Sequence, residues 1–166
     1  MTETIPKSEI FLLLVVIAAL QWVLAVVFPH GLLVDLPLIF AVYIGWHSPP
    51  VKGAAAGVLF GLLRDLGLGL SLGVNGIAKT LLGFWASSFR KWLAPEGFSA
   101  RFVFLAAVAA LDDALIYATL AVLEQPLLPG LWMRMLLEVL LTALFGAAIF
   151  AIYDRYKFPS RDFRNL

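Results

Sequence analysis

The stretch GLLRDLGLGLSLGVNGIAK, residues 61–79, sets an arginine, an aspartate, a lysine and five glycines inside a chain that is otherwise mostly hydrocarbon. Its surroundings decide how that charge is read. The 166 residues are 62% hydrophobic and 14% charged, with mean hydropathy +0.95. Several apolar runs approach or exceed the roughly 18 residues that mark a candidate membrane span. The composition predicts an all-α integral membrane protein. Six spans of about 20 residues would take up most of the chain, leaving no room for an appended soluble catalytic module. With no cysteine, disulfides, thiolate metal sites and thiol nucleophiles drop out.

Outward from that stretch, apolar runs lie at 10–28, 32–46, 51–63, 72–89, 102–123 and 131–153. Between them stand Pro29-His30-Gly31, His47-Ser48-Pro49-Pro50, the Gly67-to-Gly73 stretch, Ala94-Pro95-Glu96-Gly97 and Gln125 through Gly130, where buried helices must end. Six transmembrane helices follow, antiparallel where loops are short. They form one membrane domain over 10–153, between a segment 1–9 and a basic tail 154–166. The second and third runs are short for a bilayer, since about 15 residues reach only about 22 Å, so these helices are expected to extend through their polar ends or to sit partly within the protein. The first run ends in Pro-His-Gly, unlike a signal-peptide cleavage site. With the amino terminus cytoplasmic, the inside carries Lys7, Lys52, Arg90, Lys91, Arg101, Arg155, Lys157, Arg161 and Arg164, nine of the twelve basic residues. Both termini are therefore predicted to be cytoplasmic. Trp46 and Trp92 fall at the inner interface and Trp132 at the outer.

In that topology the opening charges share a depth. Counted along each helix at about 1.5 Å per residue, Asp35, Arg64, Asp65, Lys79, Asp112, Asp113 and Glu138 all fall in one layer about 15–22 Å from the cytoplasmic end. Each such group costs about 2.5–3.5 kcal/mol on insertion scales, so five helices spending this independently is implausible unless the groups meet inside the bundle. The expectation is a buried polar layer in which Lys79 pairs with Asp112 or Asp113, and Arg64 with Asp35, Asp65 or Glu138. Such pairs either fix which helix sits beside which, or line a ligand cavity or proton path.

Gly53, Gly57 and Gly61 recur every four residues and make a flat stripe for close helix packing, within the chain or against a partner's helix. The glycines around Asn75 read as a re-entry between helices; they lack the Gly-Lys-Ser/Thr ending of a phosphate loop. His30 and His47 fall at opposite faces and share no metal. Asp65 with Asp112 or Asp113 would supply the two aspartates of an intramembrane protease, but Gly67-Leu68-Gly69 is followed by leucine rather than aspartate. The short, mixed-charge tail does not point to nucleic acid; attraction to anionic lipid is its simplest use. No catalytic residue, metal or cofactor is predicted.

The run from Val34 to Lys91 resembles the bacterial rod-shape-determining membrane protein MreD family. The residues that carry the resemblance are Asp35 opening the second helix, Gly57, Gly61 and Asp65 in a Gly-rich third helix ending Gly-Leu-Leu-x-Asp, and Leu72, Gly73, Asn75 and Gly76 opening the fourth. The resemblance implies a multi-pass, non-enzymatic scaffold of the elongation complex in the bacterial inner membrane, controlling rod shape and lateral peptidoglycan synthesis. Its implied partners are the bitopic protein MreC, by direct contact, with MreB, RodA and a class B penicillin-binding protein in the complex. The family is similar in architecture to the substrate-binding subunits of energy-coupling-factor transporters. That similarity supplies an alternative, a vitamin-type small-molecule binding subunit whose pocket would draw on Trp22, Trp85 and Trp132.

Overall fold

The computed structural model describes residues 34–68, 72–89, 97–125 and 131–157, together with residues 12, 15–17, 19–20 and 23 of an N-terminal helical stretch, α1. The remaining elements are α2 (Leu36–His47), α3 (Pro50–Leu68), α4 (Val74–Phe89), α5 (Phe98–Val122) and α6 (Leu131–Lys157). Every regular element among the described residues is helical. The segment 1–9, Trp22, His30, Trp92 and the tail beyond Lys157 lie outside the described residues.

Local chemistry sets the boundaries. Asp35 caps α2, its Oδ1 accepting the Leu38 N–H at 2.8 Å, with Pro37 in the first turn where no N–H is required. Ser48 before Pro49 takes an extended backbone and ends that helix. Gly73 (φ 102°) and Gly97 (φ 83°) turn the chain into α4 and α5 through a backbone region that glycine enters freely.

α3 extends past its apolar run through the polar end, as its shortness required: it runs through Arg64 and Asp65 to Leu68, and its 19 residues reach about 28 Å. Among the described residues two helices are long and apolar enough to cross a membrane: α5, and residues Trp132–Tyr153 of α6. α2, with 12 residues, reaches only about 18 Å, and α3 carries Lys52, Arg64 and Asp65.

α2, α3 and α4 pack mutually, α3 and α4 most closely of all; α5 and α6 pack on each other and meet the first group along α4 and α2. The glycine stripe explains the closest contact. A Cβ at Gly61 would lie 2.6 Å from the Gly76 Cα, and one at Gly57 2.6 Å from the Thr80 Cα and against the Lys79 carbonyl. At the other end Gly53, Gly45 and Gly83 bring α3, α2 and α4 together. The stripe is therefore filled by the chain's own α4, the first of the two uses open to it, and not by a partner's helix. Ile39, Val42, Ile44, Phe60, Leu105, Ala143 and Ala147 form the apolar core. Tyr43 packs edge-on against Phe150 and Tyr153, with centroids at 4.8 and 5.0 Å.

Gly57→Ala should lower stability in detergent by about 1–3 kcal/mol, because backbone lies where its methyl would go. Gly76→Ala should be neutral or stabilising, since only the Leu62 side chain approaches, at 3.6 Å. Thermal unfolding of the two variants beside the parent measures the difference.

Candidate functional site

The cap of α2 is where the polar layer assembles. Asp35 has three tasks. Its Oδ1 holds the first turn of α2, its N–H donates to Thr142 Oγ1 on α6 at 2.9 Å, and its Oδ2 faces two cations, Arg64 Nη1 at 2.6 Å and Lys79 Nζ at 2.8 Å. Arg64 of α3 extends past Asp35 to Glu138 of α6, to which its Nη2 donates. Lys79 of α4 extends the other way, donating to Asp112 Oδ2 of α5 at 2.7 Å and to Asn75 Oδ1, one turn before it, at 2.9 Å. Glu138, Arg64, Asp35, Lys79 and Asp112 thus form one line of alternating sign that touches α6, α3, the head of α2, α4 and α5 in turn.

The seven predicted residues are all buried or nearly so, but they divide into different uses. Lys79 meets Asp112, one of its two expected partners, and also Asp35, which was expected to serve Arg64 alone. Arg64 meets Asp35 and Glu138. Asp65, the third carboxylate considered for Arg64, does something else. Its two oxygens accept the backbone N–H groups of Gly73, Asn75 and Gly76 and the Asn75 side-chain amide, at 2.8–3.4 Å. A carboxylate there satisfies the unpaired donors that open α4 and lies at the positive end of its dipole. Asn75 therefore joins Asp65 to Lys79. Among the described residues Asp113 forms no ion pair, and its Oδ2 is buried without a hydrogen-bond partner, as is Asp112 Oδ1.

Thr142 and the Ser87 to Ser48 hydrogen bond were not anticipated. Thr142 lies four residues after Glu138, on the same helix face, and that spacing was the available signal. His47 sits over the Tyr43 ring, and its Nδ1 is 3.0 Å from the Tyr43 carbonyl. Among the described residues no three or more His, Cys, Asp or Glu side chains converge as metal ligands would. Trp85 and Trp132, expected to line a pocket in the transporter alternative, are 42% and 81% exposed; outward placement corrects that expectation.

The arrangement holds helices in fixed relation. Each cation lies between two carboxylates, so neither can swing to a new partner without leaving one acid uncompensated in a medium that solvates charge poorly. Compared with known proteins, the chain matches no family model, no curated protein and no solved structure.

Lys79→Met should lower stability by about 3–5 kcal/mol, since it strands Asp35 and Asp112. Adding Asp112→Asn should recover part of the loss, leaving the Asp35 share; equal stability of single and double variants would show that the two side chains do not interact. Asp65→Ala should cost about 1–3 kcal/mol by unpairing the donors at the start of α4, and hydrogen exchange should report it as fraying confined to that turn.

Proposed function

We propose that the chain is a non-enzymatic scaffold subunit of the bacterial elongation complex, multi-pass in the inner membrane, acting on rod shape and lateral peptidoglycan synthesis through association with MreC. The observation that carries the reading is the use to which the residues of the MreD-like pattern are put. Asp35, Asp65, Asn75 and Gly76 are buried, and with Gly57, Gly61 and Gly73 they join α2, α3 and α4 into one block. Residues spent on helix caps, close backbone approach and internal ion pairs build a shape; they leave little to handle a substrate.

The six-span topology rests on the apolar runs and the positive-inside count, and α5 and α6 support the membrane placement by length and composition. Shorter α2 and α4 fit such a protein when they pack within it, with their polar ends meeting other helices. Large apolar side chains project outward from α4, at Ile77, Leu81, Phe84 and Trp85, and from α6, at Trp132, Met133, Leu136 and Leu140. These faces can meet lipid or the single transmembrane helix of a bitopic partner. The stripe of α3 is already covered. MreB, RodA and a class B penicillin-binding protein would belong to the same assembly, reached through MreC.

Copurification from native bacterial membrane, with mass spectrometry of the product, tests the reading. MreC should come out in stoichiometric amount with the chain, and no small molecule should be retained. A stoichiometric small molecule without MreC would favour the transporter-subunit alternative. Gly57→Leu should reduce folded protein and association together, whereas loss of association from normally folded protein would return the stripe to consideration as a partner surface.

A further inference from the structure

We propose that the polar layer binds water inside the bundle, at Asp112 and at Arg64, completing a charge line that the chain's own donors and acceptors leave incomplete. An ammonium group has three N–H donors. Those of Lys79 are taken up by Asn75 Oδ1 at 2.9 Å, Asp35 Oδ2 at 2.8 Å and Asp112 Oδ2 at 2.7 Å. None is left for the second oxygen of Asp112. That oxygen, Oδ1, is buried without a hydrogen-bond partner among the described residues, on a side chain from a residue 1% exposed. At the other end of the line, Arg64 directs Nη1 to Asp35 Oδ2 and Nη2 to Glu138 Oε1. Its Nε is buried and, among the described residues, donates to nothing, although the residue is only 5% exposed.

The two shortfalls are opposite in kind, an acceptor without a donor and a donor without an acceptor. Lys79 and Asp35 stand between them in the line. Asp65 marks the contrast within the same layer, since its two oxygens take four N–H groups from the start of α4. Whatever completes Asp112 and Arg64 must therefore both donate and accept. A metal ion could serve the carboxylate but not the guanidinium, and among the described residues no three ligating side chains converge. Water meets both requirements, and a buried water ordinarily makes about three hydrogen bonds to polar groups that a fold leaves unpaired. With it in place, the Lys79–Asp112 and Arg64–Glu138 links stay ionised with every polar atom paired. Asp113 Oδ2, on the next residue of α5 and also unpartnered among the described residues, offers such water a further acceptor. Interior water needs no partner protein, so this reading and the elongation-complex reading can fail separately.

Solid-state NMR of the full chain in lipid bilayers tests it, by transfer of water proton magnetisation to carbon-labelled side chains. No variant is needed for assignment, because the pairs Leu111-Asp112, Leu63-Arg64 and Val34-Asp35 are each the one Leu-Asp, Leu-Arg and Val-Asp pair in the sequence. Selective pair labelling therefore identifies each residue. The Asp112 carboxylate carbon and the Arg64 guanidinium carbon should gain intensity from water several times faster than the Asp35 carboxylate carbon, whose oxygens are already met by Leu38, Lys79 and Arg64. Build-up at Asp112 and Arg64 as slow as at Asp35 would overturn the proposal. So would a carboxylic-acid shift at Asp112, which would show its oxygen to be satisfied by its own proton.

Discussion

A lysine and an arginine, each held between two carboxylates, are the constraint on which the architecture depends. Apolar packing between helices in a hydrocarbon-rich protein is permissive, because one aliphatic face can slide past another at small cost. Ion pairs in that setting are not. Arg64 can satisfy Asp35 and Glu138 only where α3 passes the head of α2 beside α6, and Lys79 can satisfy Asp35 and Asp112 only with α4 facing both the head of α2 and the middle of α5. Neighbour order follows from charge order.

The charge line and the glycine stripe need each other. Lys79 reaches Asp35 because α4 lies against α3 at a separation that side chains at Gly57 and Gly61 would forbid. Asp65 then fixes the register of that contact, since its two oxygens meet the first turn of α4 at three backbone nitrogens. A slide of α4 by one residue would break these bonds and move Lys79 about 100° around its helix, away from Asp35. Close approach supplies the proximity, and the cap at Asp65 supplies the phase.

Much of this was legible in the sequence, and the parts that were not have physical reasons. Charged residues at a common depth in apolar segments had to meet, and glycines four apart had to lie against another backbone. Which acid served which base was not readable, because depth places groups along the helix axis and says nothing of rotation about it. The Asp112–Asp113 pair shows the difficulty: adjacent residues project about 100° apart, so only one could meet Lys79, and choosing it required the azimuth of α5. Asp65 was grouped with possible Arg64 partners for the same reason, although adjacent positions on α3 face different neighbours. The extension of α3 past its apolar run was readable from the run being too short for a bilayer, and burial inside the protein is what lets Arg64 and Asp65 continue the helix.

The two groups of helices are joined differently within and between themselves. Inside the α2–α3–α4 group, the ion pairs of Asp35 with Arg64 and Lys79 are backed by glycines at backbone distance, which leave little space for adjustment. Between that group and the α5–α6 pair, polar links stand at Glu138, Thr142 and Asp112, beside apolar contact such as that of Gly146 with Ile39. A backbone-to-backbone contact is insensitive to charge, while an ionic one depends on every proton and counter-charge near it. The first group thus has the properties of a fixed frame. The α5–α6 pair is held to that frame through Glu138, Thr142 and Asp112, groups whose hold depends on the charges opposite them.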